Sequence, residues 1–135
     1  MRKKFYIIII VSLVLIAYGG YSIYDYIFPK AKPIQYPEVK TIYSIEISSG
    51  DAVTQFKDIS QIETISNYIV NAKATRKWSV NDTPVQRQYH TLSITTANDV
   101  RTYRYYMYEE SSKLYIEQPY YGVYIVDKGM IDFFE

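Results

Sequence analysis

The stretch Thr41–Asn71, TIYSIEISSGDAVTQFKDISQIETISNYIVN, decides the fold, because its apolar period changes halfway along. From Thr41 to Ser48, Tyr43, Ile45 and Ile47 alternate onto one face, the two-residue period of a strand. Ser49-Gly50-Asp51 is a turn signal, and Ala52 to Lys57 reads as the returning arm of a hairpin. From Asp58 to about Asn71 the period lengthens, and Ile59, Ile62, Ile65 and Ile69 fall on one helical stripe. Asp58 or Ser60 caps the start, and Ser60-x-x-Glu63 matches a capping box. A strand pattern followed by a helix pattern in one short segment indicates an α+β domain.

Downstream, Gln88 to Thr96 places Leu92 and Ile94 on one face. Asn98-Asp99 makes a turn, Val100 to Tyr108 a strand, and Glu109 to Lys113 a second turn. Leu114 to Glu117 and Tyr121 to Val126 continue the meander, and Lys128 to Glu135 reads as a short helix or a frayed end. The expected architecture is a small antiparallel sheet of four to five strands with one main covering helix.

Upstream, Arg2, Lys3 and Lys4 precede an uncharged stretch from Phe5 to Tyr24. At 1.5 Å per residue it is long enough to cross a bilayer core of about 30 Å. Cations before it and none inside it predict a cytoplasmic N-terminus, with everything after Asp25 outside. Two readings stay open. Ala17-Tyr18-Gly19 supplies the small-x-small site of a cleaved secretory signal, whereas Tyr18, Tyr21, Tyr24 and Tyr26 make the aromatic belt of an uncleaved anchor. Pro29, Pro33 and Pro37 then recur at intervals that favour an extended spacer. The domain reading is residues 1–28 as transmembrane anchor or signal peptide, 29–38 as proline-rich linker and 39–135 as extracytoplasmic α+β domain. It places the protein in the cell membrane as a single-pass chain, or in the medium if the segment is cleaved.

The 135 residues suffice for one domain and a tail. Cysteine is absent, which excludes a disulfide scaffold, a thiolate metal site and a cysteine nucleophile. A single histidine, His90, excludes a histidine metal cluster, and a net charge of +1 offers no general field for nucleic acid. No phosphate-binding glycine loop or nucleophile elbow occurs. No catalytic residue, cofactor or metal is expected.

Two features invite a binding role. Eight of the 17 tyrosines lie between Tyr103 and Tyr124. Tyr103, Tyr105 and Met107 share one strand face, and Tyr106 and Tyr108 share the other with Thr102 and Arg104. The plain reading is a sheet face clad in aromatic pairs; the sharper one is a tyrosine-rich contact surface for peptides, glycans or proteins. The second feature is the loop NAKATRKWSVNDTP (71–84), in which Lys73, Arg76 and Lys77 flank Trp78 and Arg87 follows. Such a loop can take phosphate, carboxylate or sulfate groups while the indole covers an apolar part. Alternatively, Trp78 covers the core edge and Asn81-Asp82-Thr83-Pro84 forms a turn.

Taken together, NAKATRKWSVNDTP and LYIEQPYYGVYIVD (114–127), with the basic apolar N-terminus, resemble a family of small membrane-anchored extracytoplasmic proteins of Gram-positive bacteria known only as a domain of unknown function. In that family the loop resembles AKPTRKxSVNDxP; here Ala74 replaces the proline and Trp78 fills the variable place. The resemblance implies no activity or substrate. It implies a bacterial extracytoplasmic setting and directs attention to Thr75, Arg76, Lys77, Ser79, Asn81 and Asp82, and to Glu117, Gln118, Pro119, Tyr120 and Gly122. The two segments can meet, in one of two ways. Either Arg76 or Lys77 pairs with Glu117 and Asn81-Asp82 caps a turn, or they form a shallow ligand site of Arg76, Lys77, Trp78, Asn81, Asp82, Glu117, Gln118 and Tyr120.

The functional expectation is a membrane-anchored binding or accessory domain contacting a peptide, protein or envelope component, for example one that intercepts a secreted peptide. The alternatives are an envelope hydrolase or transferase using carboxylates such as Glu109, Glu110 or Glu117, and a structural subunit of a membrane complex.

Overall fold

The computed structural model describes residues 2–97 and 102–134, which fall into two compact units, Met1–Lys30 and Ala31–Glu135. The first unit is one helix, α1 (Arg2–Ile27), with its apolar side chains exposed. Lys3–Ile27, whose most apolar 18-residue window has a mean hydropathy of 2.1, is long and apolar enough to cross a membrane, a property shared by signal sequences near an N-terminus.

The second unit holds seven strands and a second helix: β1 (Ile42–Ser49), β2 (Ala52–Phe56), α2 (Ile59–Val70), β3 (Lys73–Ala74), β4 (His90–Thr96), β5 (Thr102–Glu110), β6 (Lys113–Gln118) and β7 (Gly122–Val126). They form one antiparallel sheet in the order β2-β1-β4-β5-β6-β7-β3. Seven strands replace the four or five expected. Six of the seven fall on the segments read as strands, all of which join the one sheet; the seventh, at one edge, is β3, two residues that are too short to show any alternation and take strand form only because Lys73 and Ala74 pair with Ile125 and Tyr124. The α+β class and the antiparallel sheet stand. The turn at Asn98-Asp99 and the start of the strand at Val100 lie outside the described residues.

Alternation along the strands sorts the sheet into two faces. Ile45, Ile47, Leu92, Ile94, Tyr105, Met107, Ile116 and Tyr124 share one buried cluster with Ile62, Ile65 and Ile69 of α2 and with Met130. Burial of each such side chain contributes about 1.5–3 kcal/mol. The helical stripe is used as its spacing predicts, except that Ile59 stays exposed at the first turn. Asp58 is the N-cap, accepting from the backbone N–H groups of Ser60 (3.0 Å) and Gln61 (3.3 Å). Met130 sits in the short 3₁₀ segment Lys128–Phe133, whose Phe133 ring meets Phe56 edge-on at 5.7 Å.

Residues 31–37 are extended, as expected of the proline-rich linker 29–38, but they are also bonded to the domain. They form an extended strap on the domain. Ala31 N–H donates to Thr75 O (2.7 Å) and Lys32 N–H to Tyr121 O (3.2 Å). The Gln118 amide grips Gln35 from both sides, accepting its N–H at 2.8 Å and donating to its carbonyl at 3.1 Å. Tyr105 and Tyr124, with rings in the core, donate their hydroxyls to the carbonyls of Gln35 and Lys32, and the Tyr36 hydroxyl bonds Ser66 Oγ at 2.7 Å. Proline keeps the chain extended, and the carbonyls that Tyr105 and Tyr124 bind belong to the nearby residues Gln35 and Lys32. Burial raises the phenol pKa of Tyr105 and Tyr124, and pushes that of Tyr36 up to about 12 against a lowering bond from Ser66.

Candidate functional site

The second face of the sheet carries Tyr106, Tyr108, Tyr115, Glu117, Val123 and Ile125, brought into neighbouring positions by the β5–β6–β7 register. Tyr108 and Tyr115 stack at 5.6 Å and, with Val123, make a small cluster of their own. The chain from Thr75 to Tyr89 runs over this face between β3 and β4, and it begins under tension from two sides. Thr75 donates its N–H (3.1 Å) and its hydroxyl (2.7 Å) to Val123 O while its own carbonyl receives the strap.

A serine pegs the loop down. Ser79, 7 % exposed, donates its hydroxyl to Glu117 Oε1 at 2.7 Å and accepts the Tyr120 N–H at 3.3 Å. Its neighbours Trp78 (64 % exposed) and Val80 (62 %) point outward in consequence. The Tyr120 hydroxyl donates to Asp82 Oδ1 at 2.8 Å. Tyr120 has a φ of +65°, a left-handed conformation that a side chain this large rarely takes. Bonds at both its backbone and its hydroxyl hold it there. Glu117 is buried, and desolvation raises its carboxyl pKa, with the Ser79 bond acting in the lowering direction. The neighbouring Tyr108 phenol is pushed up to about 12 by burial, with Glu117 and Tyr115 adding to the rise.

Of the anticipated site the structure brings together Asp82, Glu117 and Tyr120, and Ser79, which was not among its residues, links them. Lys77 pairs with Glu110, not Glu117, and lies 4.3 Å over the Tyr115 ring, while its N–H donates to Thr75 Oγ1 at 3.1 Å. The physical reason is depth: the Glu117 carboxylate lies beneath the loop, where a short hydroxyl fits, whereas Glu110 at the end of β5 lies within reach of a long, half-exposed lysine. Asp82 accepts a tyrosine hydroxyl instead of capping its own turn. Arg76 is half-buried, Asn81 is exposed, and Gln118 turns to the opposite face to grip the strap. Glu109 and Glu110 alternate onto opposite faces of β5, so the three carboxylates do not converge. Among the described residues no group of three His, Cys, Asp or Glu side chains is arranged to hold a metal ion.

Three open clefts are lined by described residues. One, about 610 Å³, lies between the β1–β2 turn (Ser48, Ser49, Gly50) and Arg87–Thr91. No sequence pattern marks its residues as a group: Ser49 and Gly50 read as a turn, and Gln88 to Thr91 as a strand start. The His90 ring stacks on Phe134 at 5.0 Å, and its Nδ1 is buried with no hydrogen-bond partner. A second cleft, about 550 Å³, runs between the strap residues Pro33–Val39 and Val70, Ala72, Ala74 and Tyr124. The third, about 300 Å³, is lined by Thr64, Asn67, Tyr68, Asn71 and Asp127. Glu109, Glu110 and Glu117 line none of the three.

No curated protein matches the chain. Among solved structures, the NMR structure of a protein from Ruminococcus gnavus is similar, with 29% sequence identity and a TM-score of 0.61 over 72% of this chain and 97% of that one. The DUF5301 family model, described as a domain of unknown function (DUF5300), matches residues 30–125. That match begins with the strap and takes in α2, the pegged loop and all of the sheet but its last residue, Val126, and the chain belongs to the DUF5301 family.

Proposed function

We propose that the protein is a single-pass, membrane-anchored binding or accessory domain, with its N-terminus in the cytoplasm and its α+β domain outside, that holds a peptide or protein partner. The length and apolarity of α1, with Arg2, Lys3 and Lys4 before it, support the anchor and its direction. One observation carries the binding reading: the 610 Å³ cleft is lined by hydroxyls, an amide, an imidazole and the Arg87 guanidinium, without a carboxylate. That lining suits a peptide carboxylate, which a guanidinium binds with two parallel hydrogen bonds, and the cleft has the volume of a small-ligand site. The unpartnered His90 Nδ1 adds a buried polar group of a kind that is ordinarily satisfied.

Hydrolysis or group transfer by paired carboxylates has less support. Glu117 is covered by Ser79, Glu110 is held by Lys77, and Glu109 lies on the other face, so no two stand where one substrate would meet both. The experiment is a photo-crosslinking amino acid at Gln88 in the full-length protein in its native membranes. A discrete adduct that disappears with Arg87→Glu is expected; an adduct pattern unchanged by that substitution overturns the cleft as the binding site.

A further inference from the structure

We infer that the end of the domain bearing Trp78, Val80 and Tyr120 rests in the phospholipid headgroup layer; this inference rests on α1 being a membrane anchor. Chain connectivity supplies the first argument. Helix α1 ends at Ile27, and Ala31 is already hydrogen-bonded to Thr75 O at 2.7 Å. Consecutive Cα atoms lie at most about 3.8 Å apart, so four steps give a reach of about 15 Å. A bilayer of about 40–45 Å has a core of about 30 Å, which leaves headgroup layers several ångströms deep on each side. The place where the chain joins the domain is therefore confined to the membrane surface or just above it. Thr75 is that place, and Trp78 follows three residues later.

The second argument is what the surface beside Thr75 displays. Trp78 is 64 %, Val80 62 % and Tyr120 59 % exposed, although each belongs to a well-held segment. Ser79 is bonded into Glu117 between the first two, and Tyr120 is bonded at its backbone and its hydroxyl. Their exposure is thus built into the fold. Tryptophan and tyrosine, with apolar rings and polar tips, concentrate at membrane–water interfaces. Lys30 and Lys32 on the joining segment are exposed, and the Lys32 ammonium stands 5.9 Å from the centre of the Tyr121 ring. Cations so close to a bilayer favour contact with anionic headgroups. The nearby Asp82 carboxylate is engaged by Tyr120, which softens the acid that would oppose such contact.

The third argument is topological. Three antiparallel pairings separate β1 from β6, so the β1–β2 turn and the β6–β7 turn lie at opposite ends of the sheet. Seating the β6–β7 end on lipid leaves the cleft beside the β1–β2 turn open to the outside, where a partner can reach it.

Trp78 is the one tryptophan of the chain and reports on the seat without a label. The full-length protein is reconstituted into vesicles of phosphatidylcholine and phosphatidylglycerol containing lipid spin-labelled either near the headgroup or deep in the acyl chain. Flotation of the vesicles reads the anchor, and Trp78 emission reads the seat. The expected result is co-flotation, blue-shifted emission, and loss of most of that emission to the shallow label but not to the deep one. Trp78→Phe/Gln88→Trp, with the indole moved to the cleft, should float and remain unquenched. Flotation with solvent-like, unquenched Trp78 emission overturns the seat and leaves the anchor standing. Equal quenching of the two proteins also overturns it, and failure to float overturns anchor and seat together.

Discussion

Gly122→Ala tests whether the strap is part of the folded domain. Gly122 opens β7 with a φ of +152°, and an added Cβ would lie 2.2 Å from Ala31 Cβ and 3.0 Å from Ala31 Cα. The first cost is backbone strain, roughly 1–3 kcal/mol for a side chain held in such a region. The second is displacement of Ala31, which breaks its bond to Thr75 O for a net loss of about 0.5–1.5 kcal/mol. Together they amount to about 1.5–4.5 kcal/mol, read as a lowered midpoint of urea unfolding, with faster amide exchange at Ala31 and Lys32. Ala31→Gly removes the atom at 2.2 Å and leaves the strain. The double variant Gly122→Ala/Ala31→Gly should therefore regain only the steric share, a coupling of about 1 kcal/mol in a double-mutant cycle. Strictly additive effects, or unchanged exchange at Ala31 in Gly122→Ala, would refute the close approach of strap and turn.

Three further outcomes follow from the same structure. Ser79→Ala leaves the Glu117 carboxylate without its donor and should cost about 1.5–3 kcal/mol, with faster tryptic cleavage after Arg76 and Lys77; a loop as resistant as the wild type would count against the peg. Glu117→Gln keeps an acceptor for Ser79 and removes the charge. Burial raises the folded pKa above the unfolded value of about 4.3, so the cost of the charge is fully present above the folded pKa and vanishes as the pH falls below the unfolded one. The variant should therefore be more stable than the wild type at neutral pH and equal to it in acid, and a difference independent of pH would contradict the assignment. Asp58→Ala should have the opposite pH signature. Its carboxyl is held below the usual range by the Ser60 side chain first and by backbone donors at Gln61 and Ser60, so its stabilisation is present above the unfolded pKa and lost as the pH falls through the folded one. Thermal melts at neutral and acid pH should show a deficit that shrinks in acid.

What could be read from the sequence follows the range of the interactions. Local periodicity placed α2, the β1–β2 hairpin and the meander, because each is written in residues a few positions apart. The capping pattern leaves both Asp58 and Ser60 open, and Asp58 takes the cap while Ser60 becomes one of its donors. The strand Lys73–Ala74 was invisible because its only warrant is β7, fifty residues away. Residues 31–37 read as a spacer because prolines advertise extension, while the groups that bind the segment, Gln118, Tyr105 and Tyr124, stand far along the chain. The meeting of the loop with Glu117 and Tyr120 was foreseen, but through a cation; charge suggested an ion pair, and depth selected a serine. The same depth argument explains part of the tyrosine excess. Tyr105 and Tyr124 are core rings whose hydroxyls serve the strap, and only some of the others clad a surface.

The strap also bears on self-association. A sheet in the order β2-β1-β4-β5-β6-β7-β3 has two ends at which a further strand could add. At the β3 end, Ala31 already occupies Thr75 and the chain continues across the turn at Tyr121. At the other end, Ala52, Val53, Thr54 and Gln55 are exposed along β2. Because Ala31 occupies the Thr75 carbonyl, the β3 end offers a neighbour only the two residues Lys73 and Ala74, whereas β2 offers four exposed ones. Two copies meeting through β2 would pair along that longer run and leave only the two-residue β3 at each outer end.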